Sequence, residues 1–219
     1  GGLGVLDFAG GTVVHINSGV AGLVAAIVVG KRVGFGRDIL APHNLTYSVV
    51  GAALLWVGWF GFNAGSALAA DGAAGMALLA THMSAAAGAL TWMLIEWIKH
   101  GKPSGLGAIT GMVAGLASIT PASGSVGPAG ALLVGLSGGV ICYFATNYLK
   151  QVIKIDDALD VFPVHGIGGM VGTFLAGILV SDQLGILSGN GYAEGMTMAS
   201  QSMVQVTGIA AVAIYTAIV

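Results

Sequence analysis

The sequence predicts an all-α protein: a polytopic membrane bundle of seven transmembrane helices. Three observations predict it. Hydrophobic residues make up 56% of the 219 and charged residues only 7%, against about 25% charged in a soluble domain. Apolar runs of roughly 20 residues, the length that crosses a bilayer, recur at 5–30, 45–68, 71–98, 104–120, 125–149, 161–180 and 196–219. The 38 glycines fall inside those runs, where small residues let helix backbones approach closely.

The elements follow in order. Span one opens on DFAGGTVVHINSG and so carries Asp7 and His15. A charge or imidazole at membrane depth is costly and marks a functional candidate. Span two follows APHN and ends in WVGWFGFNAGSAL, residues 56–68. Span three contains His82 and Glu96 and stops at GKPSG. Glu96, one turn from Lys99, reads as an inner-end ion pair or cap, and His82 as structural. Span four presents Gly107, Gly111 and Gly115 at four-residue steps, a packing face for a neighbouring helix. TPASGS separates it from span five, where Cys142 reads as a small core hydrophobe. The acids Asp156, Asp157 and Asp160 precede span six and read as an inner vestibule or a capped loop. Span six holds His165, and Pro163 predicts an extended entry over Val161–Val164. Span seven closes the chain.

The basic residues set the orientation. Lys31, Arg32 and Arg37 follow span one, Lys99 and Lys102 follow span three, and Lys150 and Lys154 follow span five. The connections after spans two, four and six carry no Lys or Arg. By the positive-inside rule the first, third and fifth connections are cytoplasmic, with the chain's N-terminus outside and its C-terminus inside. A net charge of −2 gives no sign of a nucleic-acid partner.

HINSGVAG (15–22) and HGIGGMVG (165–172) share a pattern: His, then Gly four and seven residues on. That spacing puts both glycines on the His face of a helix. An acid precedes each, Asp7 by eight residues and Asp160 by five. Spans one and six cross in opposite directions, as the halves of an inverted repeat do. A five-helix unit ending in the His helix would need four helices before span one. The chain therefore reads as part of a longer protein.

Two facing imidazoles titrate as a pair. Repulsion and desolvation allow them at most one shared proton near neutrality. Each neutral ring offers one donor and one acceptor, so the pair can guide a small polar molecule or relay a proton. Two His ligands with no Cys, Asp or Glu beside them make a poor zinc site, and no motif calls for a cofactor. Asp7 reads either as a helix cap or as long-range support for a cation at an outer mouth. In span two, Trp56 and Trp59 fit an interfacial belt. Phe62 and Ser66, four apart on one face, offer a ring and a hydroxyl to a small cation.

DFAGGxVVH, WFGFNAGS, GKPSxLGA with ITPASGSVGP, and DDALDVFPVHGIGG stand in this order along the chain. Together they resemble the Amt/Mep/Rh ammonium transporter family, of the Amt type. The resemblance implies an eleven-helix inverted-repeat fold assembled as a homotrimer, with residues 1–219 supplying helices five to eleven. It implies that His15 and His165 are the paired pore histidines and that Asp7 supports an outer recruitment site lined by Ser66. Phe62 would be one of two stacked gates, and Trp59 would line the pore beside the histidines. The other gate, the outer lid and a cytoplasmic tail would belong to other parts of the protein. The implied activity is transport, not catalysis. By that resemblance NH4+ would be recruited at the outer mouth and deprotonated, and NH3 would cross an apolar pore in the plasma membrane. A PII signal protein is the implied cytoplasmic partner. An Rh-like neutral gas channel and an ammonium sensor are the alternatives; Phe62 with Trp59 and Ser66 favours the Amt type.

Overall fold

The computed structural model describes residues 2–38 and 40–219. Seven apolar helices carry the fold: α1 Gly11–Val29, α2 Leu45–Gly65, α3 Gly72–His100, α4 Gly105–Ile119, α5 Pro128–Ile153, α6 Phe162–Leu179 and α7 Met198–Ile218. Each falls within a few residues of its expected span, and all but the 15-residue α4 are long and apolar enough to cross a membrane. The chain is a multi-pass membrane protein. Lipid leaves the backbone no water to bond, so even Gly-rich stretches close their hydrogen bonds within a helix.

Side chains start these helices where the first amides lack partners. Asn44 accepts from the Tyr47 amide at 3.0 Å, opening α2. Asp71 accepts from Ala73 and Ala74 at 3.0 and 3.1 Å, opening α3. Ser104 accepts from Gly107 at 2.8 Å, opening α4. Thr197 and Ser200 form a reciprocal capping box on α7.

The centre of the bundle is α3, α4 and α5, packed through glycine. A Cβ on Gly111 would strike Trp92 and the Gly88 carbonyl, and one on Gly115 would strike the Ser84 carbonyl. Gly107 lies against the Glu96 carboxyl. The expected small-residue face of α4 is thus turned onto α3. Glu96 takes the cap alternative: it accepts from the Ser104 amide at 2.6 Å at the start of α4. Lys99 lies over the Phe144 ring at 4.5 Å instead of pairing with Glu96.

α1 and α6 pack antiparallel against this centre. Gly22 faces Val161, Gly19 faces Gly166, the His15 Cβ faces Gly169, and the Thr12 and Thr173 hydroxyls bond at 2.8 Å. As one residue number rises its partner falls. A Cβ on Gly19 would collide with the Gly166 backbone, so the crossing needs Gly19 to lack a side chain.

Two expectations about these helices are corrected. Val161–Val164 is helical, not extended, and Phe162–Ile167 is a π-helical turn. Proline in a first turn removes an amide that had no partner. The Asp157 carboxylate takes the Val161 and Phe162 amides at 3.0 and 2.8 Å. Span one, expected from residue 5, becomes helical six residues later, so His15 lies in the first turns of its helix. Residues 5–10 stay outside α1, which begins at Gly11 after Gly10 turns at φ 87°.

The two ends of the bundle are tied differently. At one end Arg32 grips Asp156 with Nε at 2.8 Å and Nη2 at 2.7 Å, and Lys150 pairs with Asp160 at 2.6 Å. The Arg32 guanidinium holds the Asp156 carboxyl below the usual carboxylate range. The first and fifth connections therefore lie on one side. At the other end, buried Gln205 clamps the segment before α1. Its amide donates to the Leu6 and Thr173 carbonyls, each at 2.8 Å, and its oxygen accepts from the Leu6 amide at 2.7 Å. Gln205→Leu would strand these groups at about 1–3 kcal/mol apiece. A loss of about 3 kcal/mol or more is expected, read as a lowered unfolding midpoint of the solubilised protein.

A histidine pair at an apolar lumen

The elements above bring His15 and His165 together. Their Nδ1 atoms are 3.2 Å apart and their ring centroids 5.2 Å. Each ring sits in a six-residue π-helical turn, Gly11–Ile16 or Phe162–Ile167. Such turns reset the face a helix presents and recur at functional sites. Among the described residues no group of three His, Cys, Asp or Glu side chains lies close enough to hold a metal.

The pair borders a cavity of about 590 Å³ between α1, α2 and α6. Phe62, Trp59, Gly58, Leu54 and Gly51 line it from α2, and Val14 and Ser18 from α1. Apart from the imidazoles, the Trp59 indole and Ser18, the lining is apolar. Trp59 is only 8% exposed. Its ring stacks on His15 at 5.0 Å, and its N–H donates to the Thr120 hydroxyl at 2.9 Å. Trp59 is therefore no belt residue, although the WVGWFG pattern fitted one; stacking and a buried acceptor hold it inward. Trp56 and Phe60 instead flank His82, at 5.2 and 5.9 Å.

Phe62 lines the same cavity, with its ring 6.2 Å from that of His15 and 6.0 Å from that of Trp59. Ser66 is one turn further, at the end of α2, and does not line the cavity. Its hydroxyl donates to the Phe62 carbonyl at 2.8 Å, which leaves both oxygen lone pairs free to accept. Asp7 also lies outside the cavity. Its carboxylate accepts from the Thr12 and Val13 amides at 3.0 and 3.3 Å, capping the helix that carries His15.

Sequence reasoning missed Thr120. It is fully buried, ends α4 and touches both Trp59 and His15. TPASGS reads as loop punctuation, and the usable signal was a hydroxyl directly before Pro121 at the end of an apolar span. Gln201 and Gln205 were also missed, though two amides four apart in an apolar run are rare enough to notice.

A bundle of apolar, membrane-length helices with an imidazole pair beside a largely apolar cavity defines a multi-pass membrane protein. The model of the Ammonium Transporter Family matches residues 1–219, and the chain belongs to that family. It is 49% identical over 218 residues to a putative ammonium transporter of Methanothermobacter thermautotrophicus, covering 99% of this chain and 52% of that protein. It is 48% identical over 223 residues to an ammonium transporter of Bacillus subtilis, covering 100% of this chain and 53% of that one. The chain thus spans about half the length of the curated relatives it matches. Among solved structures, one titled Sensor Amt Protein matches with TM-score 0.91 at 31% identity, covering 99% of this chain and 53% of that one. Saccharomyces cerevisiae Mep2 matches with TM-score 0.86 at 38% identity, covering 99% and 50%.

Proposed function

We propose that these helices form the histidine-bearing half of an ammonium transporter, serving as helices five to eleven of an eleven-helix fold. The 3.2 Å Nδ1–Nδ1 contact between His15 and His165 at an otherwise apolar cavity carries this reading. NH4+ is gathered at the Phe62 end, where the ring attracts a cation by its face. The free lone pairs of Ser66 add an acceptor. Asp7 supports the site from a distance, through its negative charge and its hold on the start of α1. The ion yields its proton before entering, because an ion loses several kcal/mol of solvation in an apolar passage. Neutral NH3 then passes Trp59 and the imidazole pair, which offers it a donor and an acceptor without a net charge.

The Lys and Arg pattern supports a plasma-membrane topology with the Phe62 end outside and the Arg32 end cytoplasmic. The Arg32–Asp156 bond agrees in joining two connections given the same side. We extend the reading to a homotrimer and to a PII signal protein on the cytoplasmic face, on the family resemblance alone. Sensing is the second reading, favoured by the 0.91 TM-score to a protein titled as a sensor. The native-length protein, reconstituted in liposomes, separates the two. Transport predicts an ammonium-evoked current or internal pH change that K+ does not evoke. A sensor that does not transport gives neither.

A further inference from the structure

Thr120 has three hydrogen-bond partners and one proton. Its hydroxyl oxygen lies 2.8 Å from the Leu116 carbonyl, 2.9 Å from the Trp59 indole nitrogen and 3.2 Å from His15 Nε2. A hydroxyl gives one proton and accepts on two lone pairs. The Leu116 carbonyl can only accept and is the nearer of the two possible acceptors, so it takes the proton. The Trp59 N–H can only donate, so it fills one lone pair. His15 Nε2 is left facing the second lone pair and can bond there only by donating.

With hydrogen on Nε2, neutral His15 presents a bare Nδ1. The Nδ1 of His165, 3.2 Å away, must then carry the hydrogen of that bond, and His165 Nε2 is left bare. The opposite order needs the Thr120 O–H turned away from Leu116 and a change of tautomer in both rings. Pointed at His15 Nε2 instead of Leu116, the O–H goes with hydrogen on His15 Nδ1 and on His165 Nε2. The nearer acceptor, Leu116, favours the first order.

We propose that Thr120 is a positioning residue that sets the direction of the histidine pair, holding hydrogen on His15 Nε2 and leaving His165 Nε2 as the pair's open acceptor. This rests on reading the two histidines as the passage-lining pair. It adds that the pair is polar, with a donor end on Thr120 and an acceptor end at His165. A solute N–H bonds at His165 Nε2, and Thr120 contacts no solute.

Imidazole ¹⁵N shifts distinguish protonated from bare nitrogens, so the test is ¹⁵N-histidine NMR of the native-length protein in lipid. The expected wild-type spectrum has His15 protonated at Nε2 and His165 at Nδ1. The reverse order, or both rings protonated at the same nitrogen, overturns the proposal. In Thr120→Val both orders should appear, and ammonium flux should fall about two- to tenfold, the scale of one neutral hydrogen bond. Thr120→Ser, which keeps the hydroxyl, should restore the single order and the flux. A single unchanged order in Thr120→Val also overturns it. If Thr120→Val does not fold, the wild-type spectrum still decides. Absent ammonium flux in the wild type would refute transport while leaving the tautomer order standing or falling by its own spectrum.

Discussion

If His15 lines the proposed passage, His15→Asp is expected to raise the flux of K+ relative to that of ammonium. Apart from the imidazoles, Trp59 and Ser18, the cavity walls are apolar, so a bare cation meets little that replaces its water. A carboxylate at His15 changes the sign of that balance. A unit charge about 4 Å from a cation contributes about 4 kcal/mol at an effective dielectric of 20, or roughly a thousandfold in occupancy. Water drawn in by the carboxylate screens part of it, so a rise in relative K+ flux of at least about tenfold is expected. Asp also leaves His165 Nδ1 and Thr120 with altered partners, and the neutral path should slow. The measurement is K+ and ammonium flux from the same liposomes, reported as a ratio. An unchanged ratio would mean that position 15 does not face the passage.

Gly19→Val is expected to prevent the native fold. The added Cβ would sit on the Gly166 backbone. Overpacking against a side chain typically costs about 1–3 kcal/mol because a rotamer can shift. Backbone has no rotamer to shift, so α1 and α6 would have to part. Parting them breaks the Thr12–Thr173 bond and the His15–His165 bond together. A loss above about 4 kcal/mol is expected, the exceptional range for one substitution. Size-exclusion profile and melting temperature report it. Gly19→Ala should already lower the midpoint, since even one methyl meets the Gly166 backbone.

The spans were legible because crossing a bilayer needs an apolar run of fixed length, and the sequence supplies seven. The meeting of His15 and His165 was legible from the matched glycines at 19, 22, 169 and 172 and from the opposite directions of two spans. Tertiary choices were less so. Trp59 fits an interface or an interior equally well until the Thr120 hydroxyl decides it. Pro163 reads as a helix breaker unless the Asp157 carboxylate is known to occupy the amides beside it. Ser66 shares a helical face with Phe62, yet its hydroxyl turns back to its own helix, which spacing does not reveal. Thr120 lies 105 residues from His15 in sequence, and no local pattern carries a contact of that separation.

The most direct test of the account is ammonium flux through the native-length protein carrying His15→Ala, measured beside its melting temperature. In the proposed transporter His15 lines the passage. Flux should therefore fall, and discrimination against K+ with it, as water enters the space the ring leaves. The melting temperature should drop only modestly, since Thr120 keeps its bonds to Leu116 and Trp59. A variant that melts far lower yet keeps wild-type rate and selectivity would make His15 a packing residue and contradict the account.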